Sequence, residues 1–418
     1  MAETVTNGEA KTPQVSVVSA TDPAAVPELV KELSALAEKF DPANVDDNLR
    51  LDLALKARTL WKSLETPRET MIRHNWAQPA AFTALTAGTQ KGVWTYLDEH
   101  DGPFVASKVA EALDITPAVW SRLARHLGAM GYLKEIAPDT YERTNFTKAM
   151  SVPIIGQSYP VLAGGCFAAL DHFHEYQDKV NWTEPNDVAD GPYQAAFNTK
   201  LNFFEYLQAH PPYGVQFNYH MGGYHQGRPS WMDPGFFPVQ ENLIDGFEDK
   251  EGSAFLVDIG GSVGHDIEEL YRKYPQVPGR LILQDLPLVI SQIEKLDDKI
   301  ERMAYDFHTE QPVKEARAYY MHSVLHDWPE EVCLKILANI TAAMKPGYSK
   351  VLINENVIPD TGAQWEATGL DIMMMTLLSS RERTRENWET LLTKANLKIV
   401  KVWTARNGAE SLIECELA

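Results

Sequence analysis

Three glycines, a pair of acids and one histidine are the residues of this sequence whose spacing could do chemistry. The run Phe255-Leu256-Val257-Asp258-Ile259-Gly260-Gly261-Ser262-Val263-Gly264 passes from apolar side chains, through an acid, into a glycine-rich turn. An apolar run bounded by glycine predicts a buried strand. The glycines let the backbone turn sharply and lie against a ligand with no Cβ in the way. Gly260, Gly261 and Gly264 do not form G-x-G-x-x-G, and no Lys-Ser/Thr pair follows as in a phosphate-binding loop. The spacing therefore predicts an adenosyl ligand without phosphates. Asp258 would repel phosphate but suits an ammonium or a sulfonium group. Asp285 closes the next predicted strand, Arg280–Gln284, where a carboxylate can accept hydrogen bonds from both ribose hydroxyls. The same turn could merely join a strand to a helix; the second acid argues against that.

The histidine is His326. A strand predicted over Ala318–Leu325 runs into His326-Asp327-Trp328-Pro329. Asp327 is expected as a helix N-cap and Pro329 at or near the helix start. That places His326 at the carboxyl edge of a sheet, on the side where ligands bind. An imidazole can take a proton near neutral pH, given a partner that fixes its tautomer. Glu355, ending the run Val351–Asn354, and Glu382 could both reach it. A histidine held by carboxylates beside an adenosyl site is a general-base arrangement; the alternative is a ring that only packs at a strand end.

These groups need a scaffold. From Ala254 onward predicted strands (Phe255–Ile259, Arg280–Gln284, Ala318–Leu325, Lys350–Glu355, Leu397–Thr404, Ser411–Leu417) alternate with helices (His265–Tyr274, Leu288–Leu296, Pro329–Met344, Ala367–Ser379, Thr384–Ala395). Such alternation predicts an α/β fold, a mostly parallel sheet covered on both faces. With it, the chain reads as four parts. Residues 1–27 are polar and read as a flexible tail. Residues 28–150 show helical periodicity, then helices around 105–113 and 118–130 and a hairpin near Tyr132–Thr144, a winged-helix pattern. Residues 151–247 are crowded with aromatics and histidines, suiting a flat ligand or an ordinary core. Residues 248–418 are the Rossmann-like part.

The chain of 418 residues carries a formal net charge of -20. That disfavours nucleic acid and anionic membrane surfaces as partners, so the winged-helix pattern reads as a structural or dimerising module. Cys166, Cys333 and Cys415 lack metal-ligand spacing and fit reduced thiols in a cytoplasmic protein. The histidines show no H-E-x-x-H spacing, and no metal is expected. Neither a membrane span nor a secretory signal is expected.

The motifs Leu256–Gly264, Gln284-Asp285-Leu286-Pro287, Asp306-Phe307, Leu325-His326-Asp327-Trp328 and Arg381-Glu382-Arg383-Thr384, in this order, resemble the class I S-adenosylmethionine (SAM) O-methyltransferases of the plant caffeate type, and most of all their fungal natural-product relatives. The resemblance spans residues 70 to 418. It implies that the Gly260–Gly264 loop holds the methionyl end of SAM, that Asp285 binds the ribose, and that Asp306 and Phe307 contact the adenine. It implies that His326 deprotonates an acceptor hydroxyl with Glu355 and Glu382 flanking it, and that the winged-helix part forms a homodimer. Met374 and Met375 would line the acceptor pocket, with Phe204 as a wall. Family members often carry Lys or Arg four residues before the catalytic histidine; His322 stands there, expected near the cofactor. Some fungal relatives bind SAM without using its methyl group and act as lyases or isomerases, which is the alternative expectation. The acceptor is expected to be a small molecule.

Overall fold

The computed structural model describes residues 15–418. The chain divides into two compact units, one up to Val152 and one from Pro153.

The first unit is built from helices Val26–Ala37, Asp47–Leu64, Gln78–Gln90 and Val93–Asp98, followed by helices Ala106–Ala112 and Pro117–Ala129. Asp46 caps the second of these by accepting from the Leu49 amide at 2.8 Å, and Thr66 with Glu69 forms a capping box ahead of Pro67–Ile72. Leu133–Ala137 and Thr140–Arg143 pair as a hairpin, with Phe104–Val105 added at its edge. Trp94, Trp120 and Tyr141 fill its core. The expected flexible tail needs correction. Its first fourteen residues lie outside the described residues. The Thr21 and Asp22 amides bond to the Glu65 and Ser63 carbonyls, and the Arg68 amide bonds to Val17. A helix has already begun at Val26.

The second unit holds the sheet. Its strands are β1 (Ala254–Ile259), β2 (Arg280–Asp285), β3 (Ile300–Ala304), β4 (Ala318–His322), β5 (Lys350–Glu355), β6 (Leu397–Thr404) and β7 (Ser411–Leu417). The order across the sheet is β6-β7-β5-β4-β1-β2-β3. The strands from β5 to β3 run parallel, and β7 is antiparallel to both β5 and β6. Alternate side chains enter two separate cores. Val257, Ile259, Ile282 and Met321 pack on Ile336, Leu337, Leu391 and Leu392. Leu256, Leu281, Leu283 and Tyr320 pack on Ile267, Leu270, Trp231 and Phe237. Burial of both faces is what makes these strands read as continuous apolar runs. The aromatic-rich helices between Pro153 and Tyr224 belong to the same compact unit as the sheet.

Four local expectations are corrected. β4 stops at His322 rather than running to Leu325; Ser323 takes a φ of 50° and Leu325–Asp327 forms a 3-10 turn. Asp327 is not an N-cap, because the next helix is Glu330–Thr341, capped at Pro329. The helix expected over Leu288–Leu296 is the short Pro287–Ser291. β3 was not expected at all: it is an edge strand whose Glu301 and Arg302 face solvent, so it lacks an apolar signature. Among the described residues no helix is long and apolar enough to cross a membrane.

Trp388 is the largest side chain in the layer beneath the site, fully buried, with its Nε1 donating to the Asn356 carbonyl at 3.0 Å and the Arg383 guanidinium over its ring. Trp388→Ala should cost about 3–5 kcal/mol in urea unfolding. A loss below about 1 kcal/mol would contradict this packing.

Candidate active site

The glycine loop leaves the carboxyl end of β1 against the neighbouring strands. Gly260 has a φ of +72°, and a Cβ there would lie 2.9 Å from Val324 and 3.8 Å from the Phe307 ring. Gly264 (φ +92°) ends the loop, and helix His265–Lys273 follows. A Cβ on Gly261 would lie 2.5 Å from both the Asp258 carboxyl carbon and Leu283. The loop is therefore bare on purpose: side chains would fill the cradle or strike the core beneath it.

Asp258 lies under the loop. Its carboxyl is beside Gly261 and Leu283, and the residue is 1% exposed. Burial, reinforced by Asp266, holds it well above the usual carboxylate range. Asp285 is where the sequence expects it. Its Oδ2 accepts from the Ser262 amide at 2.8 Å and its Oδ1 from its neighbour Leu286 at 2.7 Å, which fixes loop and carboxylate together. A carboxylate has lone pairs beyond these two bonds. Asp306 accepts from the His308 amide and is exposed. Phe307 is partly buried, edge-on to Trp328, and holds Asn339 through its carbonyl.

The 3-10 turn carries His326, 5% exposed. Its Nδ1 lies 2.6 Å from Glu382 Oε1, and its Nε2 lies 3.4 Å from Asp327 Oδ1. Glu355 is not hydrogen-bonded to the ring, though its charge acts on it. Its Oε1 accepts from the Val324 and Leu325 amides at 3.2 and 2.7 Å, so it holds the turn that bears His326. Glu382 is held in its turn: its amide donates to Asp371 Oδ1 at 2.9 Å. Next door, the Arg383 guanidinium donates to the carbonyls of Leu325 and Trp328. Burial alone would lower the His326 pKa, but Asp327 and then Glu382 outweigh it and push it up to about 10. Burial pushes Glu355 up to about 7 and Asp327 up to about 6, with His326 opposing both. The charges of His326, Asp327 and Glu355 thus influence one another.

Beside this cluster, Met374 is buried among Phe203, Leu207, Leu377 and Leu378, and Phe204 packs against the same group. Met375, half-buried, lies on the same helix, Trp365–Leu378. That helix also supplies Asp371, so it positions the partner of His326. His322 departs from expectation. Both its ring nitrogens are engaged by protein carboxylates, Nδ1 by Asp266 at 2.6 Å and Nε2 by Glu410 at 3.0 Å. The donor atoms of His225, His322 and Glu410 lie within 4.8 Å of one another, a spacing that could hold a metal ion. Sequence reasoning missed Asp327 as a neighbour of the ring, although adjacency to His326 was a signal. It also missed Asp371, Arg383, Asp266 and Glu410, whose roles arise only from tertiary contact.

Residues 236–398 match the model of the O-methyltransferase domain family. The chain is 34% identical to the O-methyltransferase mpaG of Penicillium brevicompactum over 410 residues, 96% of this chain and 100% of that one. Its fold matches the solved structure of LepI in complex with SAM, with a TM-score of 0.83 and 29% identity, covering 94% of this chain and 99% of that one. It also matches OxaC in complex with sinefungin and meleagrin, with a TM-score of 0.82, 26% identity, and coverage of 95% and 100%. Another solved structure, with a TM-score of 0.84, 28% identity, and coverage of 94% and 99%, is described as a pericyclic reaction enzyme. Together with a bare glycine loop, an acid tied to that loop and a buried histidine between carboxylates, these likenesses make the chain a member of the O-methyltransferase family, enzymes that draw a methyl group from S-adenosylmethionine.

Proposed function

We propose that this enzyme methylates a hydroxyl of an aromatic or polyketide-type secondary metabolite, with His326 as the general base. The observation that carries the reading is the 2.6 Å bond between His326 Nδ1 and Glu382, which leaves Nε2 as the nitrogen for an acceptor hydroxyl. The cradle of Gly260, Gly261 and Gly264 would hold the methionyl end of SAM, Asp285 the ribose, and Asp306 and Phe307 the adenine. When bound, SAM supplies an electrophilic methyl on a sulfonium. The chain's own part is to orient the acceptor, exclude water and accept its proton. A phenol has a pKa of about 10, so it gains from a positioned base. Nδ1–H donated to Glu382 keeps Nε2 as the acceptor of that proton. Asp327 lies on the Nε2 side, where it steadies the resulting imidazolium; Glu355 and Arg383 keep the turn in place. Most of the rate should come from orientation and desolvation. Met374, Met375 and Phe204 would bound the acceptor pocket.

We also infer a homodimer formed through the first unit. Trp61, Leu64, Met71 and Trp76 are 50%, 50%, 52% and 68% exposed within a short stretch, a density of apolar surface that favours association. The three buried free thiols suit a cytoplasmic setting.

A second reading is a lyase or isomerase that uses the SAM charge electrostatically. The likeness to the pericyclic reaction enzyme favours it. Release of S-adenosylhomocysteine in step with acceptor consumption is expected; acceptor turnover without it would establish the second reading.

His326→Ala should lower kcat by about 10²-fold or more, while SAM binding by calorimetry stays near wild type. An unchanged kcat would remove His326 from the chemistry. The pH dependence has a definite sign. The base is the neutral ring, and His326 is held cationic up to about 10, so log kcat/KM should rise with pH across the neutral range. Glu382→Gln removes a negative charge, which lowers the ring pKa and moves the rising limb to lower pH, with a lower plateau. A limb that stays in place in the variant would separate Glu382 from the titration.

A further inference from the structure

An imidazole donates from both nitrogens only as the cation. His322 directs Nδ1 to Asp266 and Nε2 to Glu410, at 2.6 and 3.0 Å. Neither carboxylate has a proton to give: Asp266 is pulled down to about 2, where His322 overcomes burial, and Glu410 is likewise held well below its usual range. His322 is therefore a fixed imidazolium at the end of β4.

Each acid ties a different element to it. Asp266 lies in the first turn of helix His265–Lys273, directly after the glycine loop, and also accepts from the Tyr320 hydroxyl at 2.7 Å. Glu410 precedes β7. It takes Arg228 at 2.8 Å and the Tyr224 and Ser323 hydroxyls at 3.3 Å. Arg228 stacks 3.8 Å over the Tyr224 ring, at the end of helix Tyr213–Tyr224. His225 meets the His322 ring edge-on at 4.6 Å, and burial pushes it down to about 4, leaving it neutral. Asp258, from β1, is a further acid within electrostatic reach of His322. Glu410 is thus 6% exposed and satisfied by four partners from two stretches of chain, 224–228 and 322–323.

We propose that Glu410 is a positioning residue for SAM: it holds the His322 imidazolium that anchors the far end of the glycine loop, and it fastens Tyr224 and Arg228 to the same point. The loop is then pinned twice, by Asp285 on Ser262 and by His322 on Asp266. This rests on the reading that the loop binds SAM. It assigns His322 an indirect part, since neither ring nitrogen is available to a ligand.

The test is calorimetric titration of the full-length protein with SAM between pH 6 and 9, with no acceptor present. Glu410→Gln should bind about tenfold more weakly than wild type at each pH. Glu410→Asp should recover most of the loss. If Glu410→Gln does not fold, His322→Gln serves: binding weaker than wild type at each pH is expected. Wild-type affinity in either folded variant overturns the proposal. Failure of wild type to bind SAM overturns the functional reading instead. Stoichiometric Zn²⁺ uptake by wild type through His225, His322 and Glu410, at neutral pH, would also overturn it, because the metal would then hold the position of the His322 proton.

Discussion

The bond between His326 and Glu382 is the contact that the rest of the active unit serves. Both groups are buried. Removing one partner of such a pair leaves an uncompensated charge, at a cost of about 3–5 kcal/mol, so its geometry must be enforced by neighbours. Three elements do so. Glu355 at the end of β5 holds two amides of the turn. Arg383 holds two of its carbonyls. Asp371, one turn before Met374 on its helix, fixes the backbone of Glu382. The turn has few regular hydrogen bonds of its own; its shape is imposed by side chains around it, which is a common way to place a reactive group with precision.

Much of the scaffold was legible. Strands buried on both faces are apolar throughout, and six of the seven sheet strands stand out against helices of different period. β3 did not, because an edge strand keeps one rim in water and its Glu301 pairs with Arg280 across the sheet. The predicted end of β4 was wrong for a tertiary reason. Ser323-Val324-Leu325 is apolar enough to continue a strand, but Glu355 draws the Val324 and Leu325 amides out of the ladder. Local propensity lost to a buried carboxylate that needed donors.

The site was legible in its residue types and less so in their facing. Alternation along β1 sorts its side chains between the two faces of the sheet. Leu256 enters the core that includes Leu283, whereas Val257 and Ile259 enter the other. Asp258 has the parity of Leu256 and lies with Leu283, under the loop. Asp285 had no such conflict, because it ends its strand. His322 was expected at the cofactor because of its distance from His326 along the chain. Its partners Asp266 and Glu410 lie 56 and 88 residues away, and no local pattern could have revealed that both nitrogens are taken.

The arrangement of charge explains why a sulfonium compound suits this edge of the sheet. Asp258, Asp266, Asp285, Asp327, Glu355, Glu382 and Glu410 crowd there, against His322, His326, Arg228 and Arg383. Six of these acids fall into two groups. In Asp266 and Glu410 the neighbouring cations outweigh burial, and both are pulled down. Asp258, Asp285, Asp327 and Glu355 are pushed up, chiefly by burial. Groups held above their usual range are those whose negative charge is under-compensated. A bound cation lowers the cost of ionising them, and by linkage their ionisation tightens the cation. A phosphate ligand would raise that cost at every one of them. An excess of acids of this kind disfavours a pyrophosphate ligand and is compatible with one bearing ammonium and sulfonium groups.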